Sequence, residues 1–183
     1  MKKEKVNLYL RDDAHFENDF PSVSLDGWKP LINELLSLNP TCRAPKYSLN
    51  ENKEKIDKGY SELARIEKEL LPILSMALNK THGVSFSERY WQILIGHWLR
   101  KSMVFVYKVY FSVTSIFDDY DVQAVSSFKL DRELVIEDNY LDFIRATRKD
   151  YYKSYIAEEI INTIGYGKLI SNNVDISVEV NKN

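Results

Sequence analysis

A single cysteine, Cys42, occurs in the 183 residues, so no internal disulfide can staple the fold. That usage suits a reducing compartment. Cys42 lies between Pro40 and Pro45, where a small packing residue beside a turn is a simpler reading than a nucleophile. Glycine is scarce as well. The six present are scattered and form neither a phosphate-cradling loop nor a dinucleotide fingerprint. A nucleophile elbow and an HExxH motif are also missing.

The three histidines, His15, His82 and His97, with one thiol do not make a zinc set, so no metal is expected. Asp118, Asp119 and Asp121 lack the glycine and the terminal glutamate of a calcium loop and read as a solvated turn. No other cofactor is indicated. Neither charge sign dominates: 25 basic against 27 acidic residues leave a net −2, which gives no field for nucleic acid. Long apolar runs are lacking too. The most apolar stretch, Met103 to Phe117, encloses Lys108 and falls short of the about 20 residues a spanning helix needs. The start, MKKEKVNLYLRDD, returns to charge too soon for a signal peptide. These absences point to a cytoplasmic chain without a transmembrane segment, peripheral to the inner membrane if it meets one.

What remains suits one ordinary domain over residues 1–183, long enough to bury roughly 70% of its unfolded surface. Aromatics make up 13% of the chain, led by 12 tyrosines. Rings with polar tips suit core edges, interfaces and sugar-binding clefts alike. No repeat of solenoid period occurs.

Val6 to Leu10 reads as a short strand and Arg11 to Ser24 as an acidic loop broken by Pro21. Leu25 to Leu38 carries one helical face, and residues 39–53 form an internal linker rich in proline and asparagine. Glu54 to Asn79 predicts a long helix, with Glu62, Arg65 and Glu69 on its wet side and Pro72 expected to kink or split it. Asn79 to Val84 reads as a turn in which Gly83 takes the left-handed conformation.

Ser85-Phe86-Ser87-Glu88 has the form of a capping box opening a helix that runs to Phe117. That helix is apolar on most faces and is expected to be covered all round. Gly96 within it marks a place where another backbone or a ligand can approach closely. Val122 to Phe128 reads as a strand. A last helix, capped by Asp138 or Asn139, is expected to run to about Ile164, where Gly165 and Gly167 stop it. Val174 to Val180 alternates as a strand does. The expected class is helix-dominated, α/β or α+β, with three or four main helices and two or three short strands.

The candidate ligand-binding group is His82, Ser87, Arg89, Tyr90, Trp91, His97 and Trp98. The simpler reading makes the aromatics a core stripe, with His97 satisfied by a backbone carbonyl. The sharper reading lets Arg89 and the helix N-terminus hold an anionic group, with His82 donating a hydrogen bond or moving a proton. An anionic-lipid-binding role finds no strong clustering of basic residues on one helix face.

Leu78-Asn79, His82 and the phrase Ser87-Glu88-Arg89-Tyr90-Trp91-Gln92-Ile93-Leu94-Ile95-Gly96-His97-Trp98-Leu99 resemble the N-terminal region of transferases from bacterial O-antigen and surface-polysaccharide clusters. The family phrase is close to S-x-R-Y-W-x-I-L-x-G-P-W-L, with His97 standing here in place of proline. Asp138, Asp142, Phe143 and Ile160-Ile161 fit its continuation loosely, so the resemblance covers roughly residues 60–165. It implies a glycosyltransferase-like protein whose nucleotide-sugar donor is handled by a C-terminal half; this chain is then a truncated gene product, one half of a split protein whose partner chain carries that half, or a stand-alone relative. The implied role is an N-terminal domain, or a truncated form, that is not catalytic alone. The alternative is a non-catalytic helical interaction module or an inactive remnant. No catalytic residue carries over.

Overall fold

The computed structural model describes residues 3–10, 20–25, 42–43, 53–126, 135–137, 139–167 and 170–171. Within them run β1 (Glu4–Tyr9), β2 (Ser22–Ser24), β3 (Cys42–Arg43), α1 (Lys53–His82), α2 (Glu88–Asp119), β4 (Tyr120–Ser126), α3 (Tyr140–Ala146), α4 (Asp150–Thr163) and β5 (Ile170–Ser171). Helix dominates, as the sequence predicts. All pairings in the sheet are parallel, so the class is α/β. Three of its five strands exceed two residues. The chain divides into two compact units, residues 1–48 with 109–183, and residues 49–108.

The first unit is built on the sheet, whose order is β3-β2-β1-β4-β5. Parallel neighbours need long crossovers, and α3 with α4 provide the one from β4 to β5. From β1 the chain steps outward to β2 and β3, and from β4 it steps the other way to β5. The direction of winding therefore reverses between β1 and β4. β1 is buried along Val6–Tyr9, as a strand covered on both faces must be.

Alternation sorts the side chains into two faces. Leu8 lies in register with Val23 and Val125, an apolar row. Tyr9 lies in register with Ser24 and Ser126, and Asn7 with Ser22, so the other face carries a buried polar row. A register shift between Val6 and Asn7 adjusts β4 to β1. Beyond β1, the Leu10 amide donates to the Ser126 carbonyl at 3.1 Å and to its Oγ at 3.2 Å, and Ser154 Oγ of α4 donates to the Leu10 carbonyl. Strand end and helix are thus tied through groups that burial would otherwise leave unpaired.

Ser22–Ser24 is a strand, where the sequence reads as the end of a loop. Three residues after Pro21 are too few to show a period; only the pairing with β1 makes them a strand. The last helix is broken: α3 ends at Ala146 and α4 begins at Asp150. The Thr147 to Lys149 amides turn back onto Phe143, Arg145 and Ala146 carbonyls, closing the first segment. Asn139 caps α3 as expected, its Oδ1 accepting from the Leu141 and Asp142 amides. Gly165 at φ +91° ends α4. The strand Val122 to Phe128 corresponds to β4. The expected helix Leu25 to Leu38 and strand Val174 to Val180 lie outside the described residues, as does most of the 39–53 linker apart from β3.

The second unit is a helical hairpin of α1 and the first two-thirds of α2. α1 runs unbroken through Pro72, whose missing amide does not split it. Arg65 donates to Glu62 and Glu69 at 2.6 and 2.7 Å on the solvated face, and the hydrogen bond from Arg65 lowers the Glu62 carboxyl below its ordinary range. Across the hairpin, Arg100 forms a two-pronged pair with Glu67 at 2.8 and 3.1 Å. Gly59 is the site of closest packing. A Cβ there would lie 2.8 Å from Cε1 of Tyr107. Gly96 is buried yet has only Gln92 Cγ at 3.7 Å, so no backbone presses on it, against the first of the two alternatives read from the sequence.

Candidate functional site

The turn between α1 and α2 gathers the most connected group of the hairpin. Gly83 sits at φ +64°, the left-handed turn the sequence predicts. Three residues before the end of α1, the Asn79 side chain reaches across this turn. Its Oδ1 accepts from the Phe86 amide at 3.0 Å and from the Trp91 indole Nε1 at 2.9 Å. Its Nδ2 donates to the Phe86 carbonyl at 2.9 Å. One side chain therefore satisfies three groups that the turn and the helix start leave open.

Rings close around this clamp. His82 stacks on Trp91 with centroids 6.1 Å apart, Phe86 meets Tyr90 at 4.2 Å, and Tyr90 meets Trp91 edge-on at 5.3 Å. Trp91 is buried. The helix cap is Ser87, whose Oγ accepts from the Tyr90 amide at 3.2 Å. The cap thus falls two residues later than the expected Ser85, because α2 begins at Glu88, and with Tyr90 three residues on it is a serine cap without the reciprocal half of a capping box. Arg89 is exposed and donates to Gln92 Oε1 at 2.7 Å, along its own helix.

Of the sequence candidates, the structure brings His82, Tyr90 and Trp91 together, with Ser87 as the cap. His97 and Trp98 lie two turns further on, exposed, on the same line as Tyr90. Asn79 organises the group and was not among the candidates. Its signal was present as the Leu78-Asn79 pair ahead of the aromatic phrase.

α2 is not covered all round, contrary to its expected place at the centre of the fold. Trp91 and Leu99 are buried on one side. On the other, Ile93 is 72% exposed, Leu94 61%, Tyr90 43% and Trp98 40%. The spacing 90, 93, 94, 97, 98 is that of one helical face. The helix therefore presents one apolar face inward and another to solvent.

Further along the hairpin, Ile56, Gly59, Tyr60, Leu63, Val104, Tyr107 and Lys108 line a groove of about 120 Å³. That is well below the roughly 300 Å³ at which ligand pockets begin, so it does not house a nucleotide sugar. Among the described residues, no three His, Cys, Asp or Glu side chains converge as a metal set. No helix among them is long and apolar enough to cross a membrane.

In the sheet unit the notable place is the carboxyl end of β1 and β4. In open α/β sheets, ligands bind where the winding direction reverses, outside the carboxyl ends of the strands. Here that point carries Tyr9 and Ser126 in one register row, extended to Ser24 on β2. Ser24 Oγ is fully buried and has no hydrogen-bond partner. A buried unpaired hydroxyl costs about 1–3 kcal/mol and calls for an explanation.

No curated protein and no solved structure matches the chain. A family model described as LIC12162 family transferase matches residues 11–183. The match takes in β2 to β5 and the clamp of Asn79 on Trp91, begins just after β1, and reaches well beyond the segment carrying the resemblance. The chain belongs to the LIC12162 family of transferases.

Proposed function

We propose that this chain acts on the cytoplasmic side as the N-terminal domain of a surface-polysaccharide (O-antigen) transferase. The donor is a nucleotide-activated sugar bound outside residues 1–183, and these residues are not catalytic alone. Family membership supports the transferase part of this reading. The aromatic phrase from Ser87 to Leu99 supports the polysaccharide part, by resemblance.

The observation that carries the reading in geometry is the reversal of the parallel sheet between β1 and β4. It brings Tyr9 and Ser126 into one row with the unpaired hydroxyl of Ser24, all three of them buried side chains at the carboxyl ends of the strands. Hydroxyl groups that both donate and accept suit a polyhydroxylated acceptor better than a pyrophosphate, which wants clustered amides or cations. This chain would then hold the acceptor side of the reaction. The fold-level rule for sheet crevices is an analogy, and the chemistry of the row gives it its content.

A thermal-shift screen tests the division of labour, because a ligand that binds only the folded state raises the melting midpoint. Nucleotide sugars are expected to leave the midpoint of the isolated chain unmoved. A rise with any of them puts a donor site inside this chain and overturns the reading. A second reading, a helical interaction module without activity, draws on one observation: the outward apolar face of α2.

A further inference from the structure

The face of α2 formed by Tyr90, Ile93, Leu94 and Trp98 exposes roughly 400 Å² of apolar surface, within the range where a monomer's largest patch is often functional. Beyond Glu88, which opens the helix, the charges along this stretch of α2 are of one sign. From Arg89 to Lys108 the chain has Arg89, Arg100, Lys101 and Lys108 and no acid, although the whole chain carries −2. Lys101 follows the patch one turn on along the same line, and Lys108 two turns beyond it. Both are exposed.

We infer that this face docks the protein on an anionic lipid surface. A helix lying in the membrane interface sinks aliphatic side chains into the acyl boundary, keeps amphipathic rings at headgroup level and sets cations against anionic headgroups. Ile93 and Leu94, the most exposed of the set, take the first role, Tyr90 and Trp98 the second, and Arg89 with Lys101 the third. The charges nearest this face, Arg89 and Lys101, are basic, which suits anionic headgroups. The patch also explains why the sequence argued against lipid. Counted by charge alone, the bases do not cluster; placed around an exposed apolar face, Arg89, Lys101 and Lys108 suffice, while Arg100 is held by Glu67. The helix lies on the membrane and does not span it, consistent with the lack of a long enough apolar helix among the described residues. The inference does not depend on the donor or acceptor proposed above.

Flotation of the full chain with vesicles of phosphatidylcholine, alone and mixed with phosphatidylglycerol, tests it. Binding is expected with the mixed vesicles and is expected to fall as salt rises. The double substitution Ile93→Glu and Leu94→Glu should lower vesicle binding about tenfold or more. It should leave circular dichroism and the melting midpoint in place, because both side chains already face water. Lys101→Glu should weaken binding to the mixed vesicles alone. The inference is overturned if neither vesicle floats the protein, or if phosphatidylglycerol makes no difference. It is overturned equally if light scattering shows a dimer that the double substitution dissolves, since a second copy then covers the face.

Discussion

Asn79 shows how much one side chain can organise. Its carboxamide serves the Phe86 amide, the Phe86 carbonyl and the Trp91 indole together, and only an amide can both donate and accept in this way. Asn79→Ala leaves the buried indole N–H unpaired and should cost about 2 kcal/mol in urea unfolding. Asn79→Asp keeps the acceptor for two donors but loses the third bond and places a negative charge at the last turn of α1. About half the loss is expected there. If the two variants unfold at the same denaturant concentration as the parent, the clamp contributes nothing and the aromatic contacts alone hold the turn. At this scale the sequence grouped residues that do meet in space and left out the side chain that joins them. His82, Tyr90 and Trp91 were legible as an aromatic-rich group, while Asn79 read as a turn residue, because hydrogen bonding across a turn has no periodic trace.

Among elements, α1 and α2 were legible almost to their ends, since three- and four-residue apolar steps survive in any environment. Burial was not. The run from Tyr90 to Phe117 is apolar on most sides, and periodicity cannot tell a face turned to a neighbour from one turned to water. The short strands were missed for a different reason: β2 and β3 have three and two residues and exist only through their parallel partners. Packing between the long helices gives a test in which two effects of similar size compete. Gly59→Ala gains about 1 kcal/mol of helix propensity, but its new methyl meets the Tyr107 ring at 2.8 Å, and overpacking costs about 1–3 kcal/mol. In the parent the substitution should destabilise. In a Tyr107→Leu background it should stabilise, so a double-mutant cycle by thermal unfolding must show a sign reversal. A Gly59→Ala variant that is more stable in both backgrounds would show that the tyrosine moves aside at no cost.

At the scale of the molecule, the chain combines a parallel α/β sheet whose winding reverses between β1 and β4 with a helical hairpin that turns an apolar, basic-rimmed face outward. Helix dominance could be read from the sequence. The sheet order could not, because it depends on which strands meet and not on what any one contains. The core phrase of the family resemblance lies in the hairpin, whereas the row proposed for the acceptor side lies in the other unit, so motif reading pointed to the identifying segment and away from the proposed site.

The central claim is the proposal that this member of the LIC12162 transferase family holds the acceptor side and that the donor is bound outside residues 1–183. Sugar transfer from labelled nucleotide sugars onto a lipid-linked acceptor measures that claim most directly, with the purified chain assayed alone and with the chain that co-purifies with it. The account predicts no transfer by the chain alone and transfer by the pair, reduced by Ser24→Val or Ser126→Val at the sheet edge. Turnover by the chain alone, or a pair that binds the donor yet transfers nothing, would contradict it.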